Sequence, residues 1–130
     1  MCAAAAITMI AGCGGKADAE DQTAASPSAK PPTVAKARAA YDEDLNALAA
    51  DGCPADCSKE LKEVVVNARV LRTAMNADAA GPQFWSPAYR LIDQMEGGLS
   101  GEDTRGNWGP RAVLAPAYDL QTWLKVHPSQ

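Results

Sequence analysis

The sequence is short of the residues that most enzymes and nucleic-acid binders rely on. It holds a single histidine, His127, so no pair of imidazoles can share a metal. Aromatic residues make up 5% of the chain, with one phenylalanine, so large side chains for a core are few. Positive charge is in the minority: 12 Lys and Arg face 16 Asp and Glu, a formal net charge of −4, which leaves no basic stripe for a phosphate backbone and excludes nucleic acid as an expected partner. No apolar run approaches the roughly 20 residues that a membrane-spanning helix requires. Alanine supplies much of the 47% hydrophobic content, and it favours helix while burying little area per side chain.

Three regions follow from composition. Residues 1–12 are uncharged and alanine-rich, with Ile7, Met9 and Ile10 as the larger apolar members, and end in the small residues Ala11 and Gly12. That run is too short to span a bilayer and reads as the apolar part of a secretory signal segment. Residues 13–32 carry Gly, Ala, Ser, Pro, Thr and charge, with no apolar residue larger than alanine after Cys13. Such a stretch buries too little surface to offset chain entropy, and Pro27, Pro31 and Pro32 stiffen it into an extended spacer. Residues 33–127 hold the periodic segments and form the expected domain.

Within that domain the expected fold is all-α: a small antiparallel bundle of about four helices with one short-range disulfide. Val34, Ala37, Tyr41, Leu45 and Leu48 recur at helical spacing, with Thr33 as N-cap and Asp51-Gly52 as stop. A second stripe runs through Leu61, Val64, Val65, Ala68, Leu71 and Met75, capped by Asp56 or Ser58 and ended by Gly81-Pro82. Ser86-Pro87 predicts the start of a third helix that carries Tyr89, Leu91, Ile92 and Met95 and breaks at Gly97-Gly98, with Phe84 and Trp85 covering its start from outside. The last helix is expected over 110–126, with Val113, Ala117, Leu120 and Leu124 on one face and Pro116 kinking or interrupting it.

The four residues Ile10-Ala11-Gly12-Cys13 resemble the lipobox Leu-Ala-Gly-Cys of bacterial lipoproteins, with isoleucine in place of leucine. The resemblance implies cleavage before Cys13, a thioether-linked diacylglyceryl group on its sulfur, and an acyl chain such as palmitate on the new amino-terminus. Two acyl chains, at about 0.8 kcal/mol per buried methylene, anchor a protein stably. The chain would then be held on the cell membrane, facing outside the cytoplasm. No Lys or Arg precedes the apolar run, so the natural start is expected further upstream, with a basic segment there. Alanine and glycine richness, together with Trp123-Leu124 and His127-Pro128, is similar to actinobacterial lipoproteins whose function is not known, so the likeness brings no activity with it.

Cysteine arithmetic agrees with export. Cys2 leaves with the leader, Cys13 takes lipid, and Cys53 and Cys57 are expected to pair across a short turn in an oxidising compartment. Their three-residue spacing departs from the two-residue spacing of thioredoxin-like redox motifs.

No catalytic constellation, cofactor site or metal site is expected. The loop from Gly97 to Gly109 is the most distinctive stretch and holds Glu102, Asp103, Arg105, Asn107 and Trp108. It lacks the lysine of a phosphate loop and the alternating ligands of an EF-hand, so it reads as a connector or as a partner-binding loop anchored by Trp108. Asp42, Glu43 and Asp44 read as a solvated acidic face, His127 as a frayed helix end, and the aromatic residues as packing rather than a sugar platform. Three functions fit: a non-enzymatic envelope lipoprotein that contacts another envelope protein; a small cell-wall or extracellular hydrolase, or an inhibitor of one; and a small-ligand carrier. A hydrolase would gather polar side chains near Arg90, Glu96 and Arg105, a binding module would show a flat apolar patch around Trp108, and a carrier would leave a cavity lined by alanine.

Overall fold

The computed structural model describes residues 29–53, 56–101 and 109–129. The leader, Cys13 and most of the linker lie outside the described residues, as do Glu102, Asp103, Arg105, Asn107 and Trp108. Four helices, all within the unit Pro31–Gln130, account for the domain: α1 (Val34–Asp51), α2 (Ser58–Asn76), α3 (Gly81–Ser100) and α4 (Pro110–Val126). Among the described residues there is no strand, and no helix is long and apolar enough to cross a membrane.

Local signals set α1. Thr33 caps it by accepting the Lys36 N–H at 3.3 Å, and Gly52, at φ 75° and ψ 176°, takes a positive-φ backbone that only glycine adopts readily and so stops it. Its stripe of Val34, Ala37, Tyr41, Leu45 and Leu48 is buried. The α2 stripe is buried as well, from Leu61 to Met75, and the Asp56 carboxylate accepts the Ser58 N–H at 3.1 Å at its start.

The α2–α3 boundary departs from expectation. Gly81-Pro82 does not end α2, which stops at Asn76; it opens α3. Tight i to i−3 bonds from Ala77 and Asp78 to Ala74 and Met75 close α2, and the Asp78 carboxylate then accepts the Ala80 N–H at 2.9 Å and the Trp85 indole N–H at 3.2 Å. Pro82 fits there because N–H groups in the first turn have no helical acceptor. Consequently Phe84 and Trp85 lie inside α3, and Pro87 is an interior residue that forgoes only the bond to the Gln83 carbonyl.

Gly97-Gly98 does not break α3 either; the helix continues to Ser100 and ends at Gly101, φ 77°. Gly98 is a packing glycine, because a Cβ there would stand 2.6 Å from the Ala112 carbonyl carbon of α4. Nor does Pro116 interrupt α4, which runs through it with the proline ring buried.

Side chains from all four helices meet in one core: Tyr41, Leu45, Val64, Val65, Leu71, Met75, Trp85, Ile92, Met95, Val113, Leu120 and Leu124 are essentially inaccessible. Helix pairs register through polar ties. Arg38 reaches Leu124 while Asp42 and Asn46 reach Gln121, so residue numbers rise on α1 as they fall on α4. Arg69 and Arg72 of α2 meet Glu96, and Arg72 also meets Asp93 and the Tyr89 carbonyl of α3. Two ends result. One gathers Thr33, the start of α3 and His127; the other gathers the Cys53–Cys57 turn, Gly101 and Gly109.

Candidate functional site at the disulfide end

The Cys53–Cys57 pair stands at disulfide distance, with a Cα–Cα separation of 5.4 Å. It staples the turn between α1 and α2, with Cys53 exposed and Cys57 buried at the start of α2. Close by are the two roots of the glycine-rich loop. Asp56, held below the usual carboxylate range by the Ser58 hydroxyl and N–H, sits on the same turn.

A groove of 340 Å³ joins these features. Cys57, Leu61, Leu99 and Val113 line it with apolar surface, Asp56, Ser58 and Lys62 supply its polar side chains, and Gly98, Gly109 and Pro110 add backbone. Gly109 has open space where a Cβ would stand, whereas Gly98 is packed against Ala112. An arrangement of this kind, apolar with a few polar groups around it, accepts one apolar side chain of a partner and satisfies the polar atoms beside it.

A second groove, of 230 Å³, lies on the other side of the α2 start. Asp44, Asp51, Glu60 and Glu63 line it together with Ala47, Leu48 and Gly52. Sequence reasoning missed this cluster because it looked for neighbours along one helix. Asp42, Glu43 and Asp44 diverge: Asp42 accepts from Arg38 and Gln121, Asp44 accepts from Asn67 of α2, and only Glu43 is fully exposed. The i, i+3 spacing of Glu60 and Glu63 opposite Asp44 and Asp51 was the available signal. Among the described residues no group of three His, Cys, Asp or Glu side chains comes together as a metal site.

Of the polar residues singled out for a hydrolase, Arg105 lies outside the described residues. Glu96 is engaged by Arg69 and Arg72, whose hydrogen bonds and charge hold its carboxyl below the usual range despite partial burial, while Arg90 is exposed. Tyr41 is fully buried and donates to the Ala117 carbonyl at 2.8 Å; burial, reinforced by Asp42 and Tyr118, pushes its phenol well above the ordinary value.

His127 is not frayed. Its ring stacks on Trp123 with centroids 4.2 Å apart and an interplanar angle of 8°, and its Nδ1 lies 2.9 Å from the Trp123 carbonyl. Phe84 meets Trp85 edge-on at 4.7 Å and also contacts Trp123, so four rings close the end of the bundle opposite the disulfide. The early start of α3 brings Phe84 and Trp85 into this cluster, with Trp85 wholly buried, whereas Tyr118 is exposed and Trp108 lies outside the described residues. Compared with known proteins, the chain is matched by no protein-family model, no curated sequence and no solved structure.

Proposed function

We propose that this chain is a lipid-anchored protein of the bacterial cell envelope, attached through Cys13, whose helical domain is a non-enzymatic module that binds another envelope protein at its disulfide end. The observation that carries the reading is the separation of the two ends. The linker joins the domain at Thr33, and an 18-residue α1 places the disulfide turn and the roots of the glycine-rich loop about 27 Å away along the helix axis. A domain tethered at one end presents the other to its surroundings. The polar network supports a binding rather than a catalytic role: Arg69, Arg72, Asp93 and Glu96 are paired with one another across α2 and α3. Glu102, Asp103, Arg105, Asn107 and Trp108 are the proposed contact residues of the loop, with Trp108 as anchor.

Intact mass of protein taken from the native membrane fraction, before and after reduction and alkylation, tests anchor and staple together. The expected species is residues 13–130 plus a diacylglyceryl group, with two thiols that appear only on reduction. An unmodified chain with four free thiols would sink both. The binding surface is tested separately, by a photoreactive side chain at position 108 and another at exposed Glu43. Crosslinking to one envelope protein from position 108 alone is expected; equal labelling from both would remove the loop from the proposal.

A further inference from the structure

At the end remote from the disulfide, α1 and α4 are bridged by long polar side chains, and the small residues Ala35 and Ala39 leave space between them. The result is a groove of 390 Å³, within the size range of small-molecule sites. Val34, Ala35, Ala39, Leu124 and Pro128 give it apolar walls, and Arg38, His127 and Ser129 are its polar members beside Asp42.

Arg38 is held from two sides. Its Nε donates to Asp42 Oδ2 at 3.3 Å and its Nη1 donates to the Leu124 carbonyl at 2.9 Å, the latter at the last turn of α4. Among the described residues no acceptor meets Nη2. Asp42 is occupied on both oxygens, since Oδ1 accepts from Gln121 Nε2 at 3.1 Å. His127 is equally constrained: a carbonyl can only accept, so Nδ1 carries the proton shared with Trp123, and the ring is clamped by the indole below it. The groove therefore combines an oriented guanidinium edge, a fixed imidazole and an aliphatic wall. Fixing these groups in advance lowers the entropy cost of binding.

We propose that this groove is a binding site for a small amphipathic carboxylate, a monocarboxylic acid with a short aliphatic body. The carboxylate takes Nη2 of Arg38, and the aliphatic body lies along Ala35, Ala39 and Leu124. A hydrogen bond from a charged guanidinium to a carboxylate is stronger than one between neutral groups. The site is independent of the loop end, so it stands or falls apart from the partner-binding proposal.

The test is an amide-resonance titration of the full chain with hexanoate, set beside hexanamide, which keeps the aliphatic body and removes the charge. Hexanoate should move the resonances of Ala35, Ala39, Leu124 and His127 along a saturable curve, and hexanamide should bind about tenfold more weakly, the factor expected for loss of one charge-assisted hydrogen bond. Arg38→Gln should bring hexanoate down to the level of hexanamide. Ala39→Leu fills the groove from an exposed helix position, and should abolish both shifts even if Arg38→Gln does not fold. Equal binding of acid and amide, shifts that map elsewhere, or a response that stays linear at millimolar concentrations would each overturn the assignment.

Discussion

Gly98 of α3 lies directly against the Ala112 carbonyl of α4: a Cβ at position 98 would stand 2.6 Å from that carbonyl carbon and 2.9 Å from the Ala112 methyl. Four residues after Ala112 is Pro116, which has no N–H, so the Ala112 carbonyl lacks its usual i+4 donor. With no Cβ at Gly98, the α3 backbone can stand against that carbonyl. One glycine and one proline, both read from the sequence as helix breakers, thus meet at the α3–α4 seam.

The two neighbouring glycines should therefore respond to the same substitution in opposite ways. Gly98→Ala forces the helices apart and should cost about 2 kcal/mol, lowering Tm by about 10 °C. Gly97→Ala meets nothing within 4 Å and should leave stability unchanged or raise it by up to about 1 kcal/mol through helix propensity. Thermal denaturation followed by circular dichroism distinguishes the pair. Equal losses would mean that the seam does not depend on position 98.

Tyr41 links the core to the α1–α4 contact. Removing its hydroxyl with Tyr41→Phe should cost about 1 kcal/mol, the net worth of one buried hydrogen bond. The alkaline limb carries a second signature. Burial raises the folded-state phenol above its ordinary value of 10.0, so Tyr41 stays protonated in the fold while the unfolded chain ionises. Its contribution is complete below pH 10.0 and declines as pH rises beyond it. Stability from denaturant melts should fall more steeply with pH above that value in the parent chain than in Tyr41→Phe, with phenolate absorbance from Tyr41 appearing only on unfolding.

Glu96 should show the opposite sign. The Arg69 hydrogen bond, followed by the charge of Arg72, lowers its folded-state value, so its stabilisation is present above the ordinary value of 4.5 and is lost as pH falls through the lowered one. Its pairs are partly exposed, which limits the effect of Glu96→Gln to about 1 kcal/mol at neutral pH. The difference between variant and parent should vanish in acid. A difference that persists there would point to packing rather than charge.

Reduction of Cys53–Cys57 should destabilise the domain by about 2 kcal/mol on the chain-entropy account of so short a loop, and the double substitution Cys53→Ser with Cys57→Ser should melt at the same lower temperature with or without reductant. A parent chain whose melting is indifferent to reductant would show that the staple is not a stabilising element.

Much of the fold was legible where the deciding physics is local. The α1 limits follow from Thr33 and Gly52, the Cys53–Cys57 pair from spacing, and the buried stripes of α1, α2 and α4 from periodicity. Legibility failed where a residue's role depends on a distant neighbour. Gly81-Pro82 reads as a stop until Asp78 is seen bonding Trp85 across the turn, and His127 reads as a loose end until Trp123 is seen beneath it. The acidic groove of Asp44, Asp51, Glu60 and Glu63, and the alanine-lined groove beside Arg38, each need two helices to exist.

By itself, then, the sequence determined the helical class, the number of helices, the core stripes and the disulfide, because each rests on hydrogen bonds and side-chain spacing within a few residues. Only the tertiary structure decided that Gly98 of α3 is a contact point, that Pro87 and Pro116 are tolerated inside helices, and that polar residues far apart in the chain are brought to opposite ends of one bundle. Those outcomes depend on which backbone atoms come within van der Waals distance of one another, and no pattern along a single helix encodes that.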